Sequence, residues 1–153
     1  MSPDTIHASC VAFGEIGLLL RGASGAGKSD LALRLIDCGA MLVADDRVAL
    51  TEKAGRVLAM PPPALAGRLE VRGVGIFSLP HLDGVPVRLI CDLENPAAIE
   101  RLPEPGWCAY LGVRIRRMDV APFEASAAIR LRIAAYAAAG EPDSATGAKM
   151  DEL

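Results

Sequence analysis

Residues Gly22-Ala23-Ser24-Gly25-Ala26-Gly27-Lys28-Ser29 fill the pattern G-x-x-x-x-G-K-[ST] completely. A phosphate chain must approach several backbone N–H groups at once, and glycine removes the Cβ atoms that would stand in its way. A helix beginning where the loop ends adds unpaired N–H groups and the positive end of its dipole. Lys28 brings a full positive charge to the outer phosphates. Ser29 offers a hydroxyl for Mg2+, which prefers oxygen ligands and keeps part of its water shell. This loop implies the phosphates of a nucleotide bound together with a divalent metal.

Phosphate binding alone names no reaction. Phosphoryl transfer also needs a group that orients or deprotonates the nucleophile, and positive charge facing the charge that develops. Asp45-Asp46, directly after the apolar run Met41–Ala44, are the best candidates for acid–base and metal work. Carboxylates at the end of a parallel strand sit where open α/β sheets bind their ligands. Two adjacent acids on an extended segment point to opposite sides, so one of the pair is expected to face the nucleotide. The same pair would also make an ordinary solvated turn or helix cap. Glu70 is an acid inside the apolar stretch Leu69–Ile76, and it would serve equally as a surface carboxylate paired with Arg72. His7 lies in a predicted strand, where a lone histidine is more often a core or edge residue than a functional one. Arg101 follows a Leu93-Glu94-Asn95-Pro96 turn and could be aimed at phosphates, although most surface arginines are not.

The elements that must position these groups follow from periodicity and punctuation. Ile6–Val11 and Ile16–Arg21 read as strands around Gly14, a candidate hairpin, and the second is apolar enough to be covered on both faces. Ser29–Cys38 places Leu31, Ala32, Leu35 and Ile36 at helical spacing, with Gly39 positioned to end the helix. Met41–Ala44 is a further short strand, so the N-terminal part reads as the strand–loop–helix–strand unit of parallel sheets. Val48–Thr51 and Arg56–Met60 flank a turn at Ala54-Gly55, and Pro61-Pro62-Pro63 breaks the chain. Val85–Leu93 and Val113–Val120 are strand candidates, Pro96–Leu102 a short helical turn, and Pro103–Gly106 a loop. Ala125–Ala139 reads as a closing helix. Residues 1–139 are therefore read as one α/β domain, a mixed β-sheet with flanking helices, and 140–153 as a disordered tail with little to bury.

Composition narrows the classes. A 153-residue chain that is 52% hydrophobic can bury a core without disulfides or metal staples. A net charge of −3 does not suit a surface built to neutralise nucleic-acid phosphates. Arg114, Arg116 and Arg117 cluster locally, as a solvated face commonly does. Cys10, Cys38, Cys91 and Cys108 lie far apart with no Cys-x-x-Cys pair, so they are read as reduced, buried thiols and not as zinc ligands. With neither a signal peptide nor a membrane-length apolar run, a cytoplasmic protein is expected.

Taken together, these residues resemble the C-terminal catalytic domain of the HPr kinase/phosphorylase family, from about His7 to Arg101. The family has a histidine upstream of its P-loop, where His7 stands, and a Val-Ala-Asp-Asp segment after its helix, here Val43-Ala44-Asp45-Asp46. Its Leu-Glu-[Ile/Val]-Arg-Gly-x-Gly-Ile signature matches Leu69–Ile76 in full. A later Leu-Glu-Asn segment leading to Asp-Arg-Leu corresponds to Leu93-Glu94-Asn95 and Glu100-Arg101-Leu102. The resemblance implies an HPr kinase/phosphoenolpyruvate carboxykinase-like fold and an ATP- and Mg2+-dependent protein-serine kinase. Lys28 and the loop amides would hold the ATP phosphates, and Ser29 and Glu70 would bind Mg2+. Asp46, beside Asp45, is similar to the family's proton acceptor, although the sequence cannot separate the two; His7 would support that carboxylate. Arg101 would act near the transferred phosphate. The resemblance further implies a hexamer acting on a small HPr-like phosphocarrier protein of the phosphotransferase system.

Two departures qualify it. With the histidine match at His7, the sequence leaves no room for the N-terminal domain that the family usually carries, so a short form is expected. The longer members also hold an Arg-Pro-Gly-Arg-type segment linked to the dephosphorylating reaction. Val120-Ala121-Pro122-Phe123-Glu124-Ala125 keeps the proline and neither arginine, which implies weak or absent phosphorylase activity.

Other readings share the loop. A small-molecule kinase would want an arginine-rich lid, which the second half does not offer. A GTPase switch would want an Asn-Lys-x-Asp segment. A non-catalytic nucleotide-binding module would leave Asp45, Asp46 and Glu70 without a role.

Overall fold

The computed structural model describes residues 4–140. Strands β1 (Asp4–His7), β2 (Ser9–Phe13) and β3 (Ile16–Arg21) lead into the loop and then helix α1 (Lys28–Asp37). Strands β4 (Met41–Ala44), β5 (Arg47–Lys53) and β6 (Arg56–Met60) follow. A small ribbon, β7 (Arg68–Val71) with β8 (Gly75–Ser78), precedes the long strand β9 (Val85–Leu93). The hairpin of β10 (Gly106–Tyr110) and β11 (Val113–Val120) then leads to helix α2 (Ala127–Ala139).

The main sheet runs β1-β5-β6-β9-β3-β2-β4, with β11 also joined to β9 and β10 to β11. β9 is the seam. Val85 and Pro86 pair with β6, residues 87–92 pair in parallel with β3, and Leu89–Leu93 pair in parallel with β11. The strand–loop–helix–strand unit is present with one difference from a simple parallel unit. β4 runs in the direction of β3 but is separated from it by β2, antiparallel to both. β3, β4, β9 and β11 therefore all end at the same edge of the sheet, the edge where ligands bind in such folds.

β3 is covered on both faces, as its apolar run requires. Leu18 and Leu20 join a core with Leu31 and Leu35 of α1 and Leu131 of α2, while Leu19 joins a second core with Val43, Val48 and Ile90. β2 and β9 alternate in the same way, Val11 and Leu89 facing the helices and Cys10 and Ile90 the other core. Among the described residues, both long helices lie in the first core. α1 ends as its glycine suggests: Gly39 takes φ 108°, and the Ala40 N–H donates to the Leu35 carbonyl at 3.0 Å.

Several expectations change in detail. The first strand breaks at Ala8, so β1 pairs with β5 while β2 pairs with β3 and β4. The apolar stretch that holds Glu70 is part of a two-stranded ribbon, β7 with β8, turning at Gly73. Gly106–Tyr110 forms a strand where only a loop ending at Gly106 was expected, because Arg114–Arg117 on β11 give it a partner edge. The helical turn is confined to Pro96–Ala98, and α2 starts at Ala127. The turn at Ala54-Gly55 holds, with φ of 55° and 79° suiting a two-residue hairpin. Arg116 is only 9% exposed and lies over the Trp107 ring with Arg114, so this cluster is not simply a solvated face. All four cysteines are free, but only Cys10 and Cys91 are fully buried; burial pushes both thiols well up. Apart from Gly140, the expected tail lies outside the described residues.

Candidate active site

The loop between β3 and α1 sits at the shared edge of the parallel strands. Gly25 and Gly27 adopt φ of 82° and 102°, the region in which a side chain is disfavoured. A Cβ on Gly22 would come within 3.2 Å of Leu93, so that glycine lets the loop leave the sheet against the end of β9. The Lys28 ammonium donates to the carbonyls of Gly22 at 2.7 Å and Ala23 at 2.9 Å. Two of its three protons are thus held by the loop itself, and its stem is buried. Ser24, Gly25 and Gly27 of the loop and Lys28, Ser29 and Asp30 at the start of α1 line one cleft.

The aspartates separate. Asp45 is buried and accepts hydrogen bonds from the Ser9 hydroxyl at 2.6 Å and the Ser29 hydroxyl at 2.9 Å. By donating to Asp45, the Ser29 hydroxyl leaves its oxygen lone pairs available to a cation. Asp46 turns elsewhere: its carboxylate lies 2.9 Å from Nε2 of His7 and is largely exposed. The expected reason for their divergence was an extended segment. The chain is bent instead, with Asp46 at φ 68° and the Arg47 N–H donating to the Asp45 carbonyl at 2.8 Å.

A cleft of about 660 Å3 opens beside these groups, with Asp45 lying behind Ser9 and Ser29 and not among its lining residues. His7, Ser24, Gly25, Gly27, Lys28, Ser29, Asp46 and Glu70 all line it, so most of the sequence-derived site converges. Arg72 lines it as well, beside Glu70 on the β7–β8 ribbon. Arg101 does not; it is exposed between Pro96–Ala98 and β10. Ser9 and Phe123 belong to the cleft and escaped sequence reasoning. Ser9 had a signal, since it stands two residues after His7 where a strand repeats its faces. Phe123 carried none, because an isolated aromatic after a strand is commonplace.

The donor set fits Mg2+. Ser29, Asp45 and Glu70 offer oxygen only, which Mg2+ prefers, and the ion usually takes one or two carboxylates together with substrate phosphates. Among the described residues there is no group of three or more His, Cys, Asp or Glu that would cage a metal without such phosphates.

Behind the loop, Arg21 ends β3 with a two-pronged pair to Asp92 at 2.7 and 2.8 Å, and Arg117 approaches the same carboxylate at 2.5 Å. Burial alone would push the Asp92 carboxyl up, but the two guanidinium groups outweigh it and hold the group below its ordinary value. The hydrogen bonds that Arg21 donates to Asp92 in turn raise Arg21 well above its usual range, so the pair stays ionised. It binds the ends of β3, β9 and β11 together directly below the loop.

Comparison with known proteins agrees with this architecture. HPr kinase/phosphorylase from Clostridium tetani is 44% identical over 86 residues, covering 56% of this chain and 28% of that protein. The Mycoplasma mycoides protein of the same name is 35% identical over 128 residues, covering 74% of this chain and 41% of its own length. This chain thus spans less than half of these curated relatives. The solved Hpr(Ser) kinase/phosphatase from Coxiella burnetii superimposes with a TM-score of 0.70 at 26% identity, over 76% of this chain and 84% of that one. The family model described as the HPr serine kinase C-terminal domain matches residues 1–126, and the chain belongs to that family.

Proposed function

We propose that this chain is an ATP-dependent protein-serine kinase domain whose substrate is a small HPr-like phosphocarrier protein of the phosphotransferase system. The observation that carries the proposal is the His7–Asp46 pair in the same cleft as Lys28 and Ser29. A phosphate loop explains binding, whereas an exposed carboxylate steadied by an imidazole, open to the cleft, explains transfer. Asp46 accepts the proton of a target serine hydroxyl as the serine oxygen attacks the γ-phosphorus in line. Lys28 and the loop amides spread the charge on the equatorial phosphate oxygens. Ser29, oriented by Asp45, and Glu70 would hold Mg2+, which supplies further neutralisation of the phosphates when bound. Arg101 is assigned to the transferred phosphate by family resemblance alone, and it would reach it only through movement of its segment or from a neighbouring subunit. The same reading makes the protein a cytoplasmic homo-oligomer, a hexamer by resemblance; no helix among the described residues is long and apolar enough to cross a membrane.

The reverse reaction is proposed to be weak or absent. Where longer members carry arginines around the proline, Phe123 lies against the loop and Glu124 pairs with Arg130 at 3.1 Å. Incubation with γ-labelled ATP, Mg2+ and a serine-bearing HPr-type carrier is expected to give acid-stable phosphoserine on the carrier. Label on small metabolites only, or binding without transfer, would overturn the assignment. Brisk pyrophosphate release from phosphorylated carrier and inorganic phosphate would sink the second part.

A further inference from the structure

We propose that the Phe123 ring is the stacking platform for the purine base of the bound nucleotide. This inference rests on the reading of the cleft as an ATP site and adds the direction in which the nucleotide lies. The parallel edge of the sheet supplies that direction. The loop rises from β3; the carboxylates rise from the end of β4, two strands away on one flank; Phe123 follows the end of β11, two strands away on the other. A nucleotide whose outer phosphate meets Asp46 must carry its nucleoside away from the β4 flank. On the β11 flank the cleft offers one aromatic ring.

Packing does not explain that ring. Phe123 is 73% exposed although it touches the loop, whereas Phe13 is buried in the helix-facing core. A Cβ placed on Gly27 would meet the Phe123 ring at 2.9 Å, so the ring rests directly on the phosphate loop, lines the cleft and keeps most of its surface exposed. Its backbone is also moored. Arg34 of α1 donates to the carbonyls of Pro122 and Glu124 on either side of it, and Arg34 is itself held by Asp30 at 3.0 Å. The helix that receives the phosphates therefore fixes the segment that presents the ring. A rigid aromatic face beside a phosphate site contributes affinity to a base and none to bare phosphate.

The test compares Mg2+–ATP with Mg2+–tripolyphosphate, measured by calorimetry on the full chain and on Phe123→Ala, Phe123→Leu and Phe123→Tyr. Alanine and leucine are expected to weaken ATP about tenfold, the scale of base–aromatic stacking, and to leave tripolyphosphate within about twofold. Tyrosine is expected to restore ATP binding. Leucine keeps bulk over Gly27 without a π-face, so wild-type ATP affinity in Phe123→Leu would overturn the proposal. Equal losses for both ligands would also overturn it, by making the ring a prop for the loop. Failure of the unmodified protein to bind ATP would defeat the functional reading itself, a result distinct from either.

Discussion

Asp46 combines an exposed carboxylate with a backbone at φ 68°, a conformation few side chains adopt without cost. Asparagine tolerates that conformation, so Asp46→Asn is expected to keep the fold and ATP affinity while lowering turnover by about 100- to 10,000-fold. A variant that transfers phosphate at more than a tenth of the wild-type rate would remove Asp46 as the proton acceptor. Asp45→Asn is expected to act differently, raising the Mg2+ concentration needed for half-maximal activity because the neutral amide is a weaker acceptor for Ser29 and no longer brings a negative charge beside the cation. Lys28→Ala is expected to abolish nucleotide-dependent activity with an unchanged circular dichroism spectrum; retained transfer would contradict the site. At this scale the sequence was legible in its types and silent in its partners. It marked Lys28, Ser29, Glu70 and the aspartate pair. It could not divide the labour of that pair, because the division depends on a bend at Asp46 and on a serine from another strand.

Asp92 belongs to the scale of elements, since it joins three strand ends beneath the loop. Its folded pKa lies below the unfolded value of about 3.9. The stability it contributes is therefore complete above about pH 4 and is lost as the pH falls through the lower, folded value. Asp92→Asn is expected to cost about 2 kcal/mol in urea unfolding at pH 7, the scale of hydrogen bonds to a charged group. The gap from wild type should close as the pH drops below about 4; a gap of the same size at pH 3 would contradict this account. Neither Arg21 nor Asp92 was singled out from the sequence, because 71 residues separate partners that meet only when β3 lies beside β9. The strands and helices themselves were largely visible from apolar runs and glycines. β10 was not, because its residues become a strand only against β11.

For the whole molecule, ligand and fold are one equilibrium. Mg2+–ATP at a hundred times its Kd is expected to add about 2.7 kcal/mol to stability, which raises Tm by roughly 10 °C for a chain of this size. The same addition to Lys28→Ala should leave Tm unmoved; an equal rise would place the ligand elsewhere. The domain's class was readable from its composition and its loop, yet its sheet order was not, because β9 takes partners from both halves of the chain. That seam has a consequence for synthesis. The loop motif is made within the first 29 residues, but β3 cannot be flanked on its β9 side until residue 93 has emerged, nor β9 on its far edge until residue 120. During translation the phosphate loop waits some sixty residues of later chain for the strand that flanks β3, and some ninety for the strand that covers the far edge of β9. A ribosome-bound chain arrested before β11 would expose this motif complete yet hold no nucleotide.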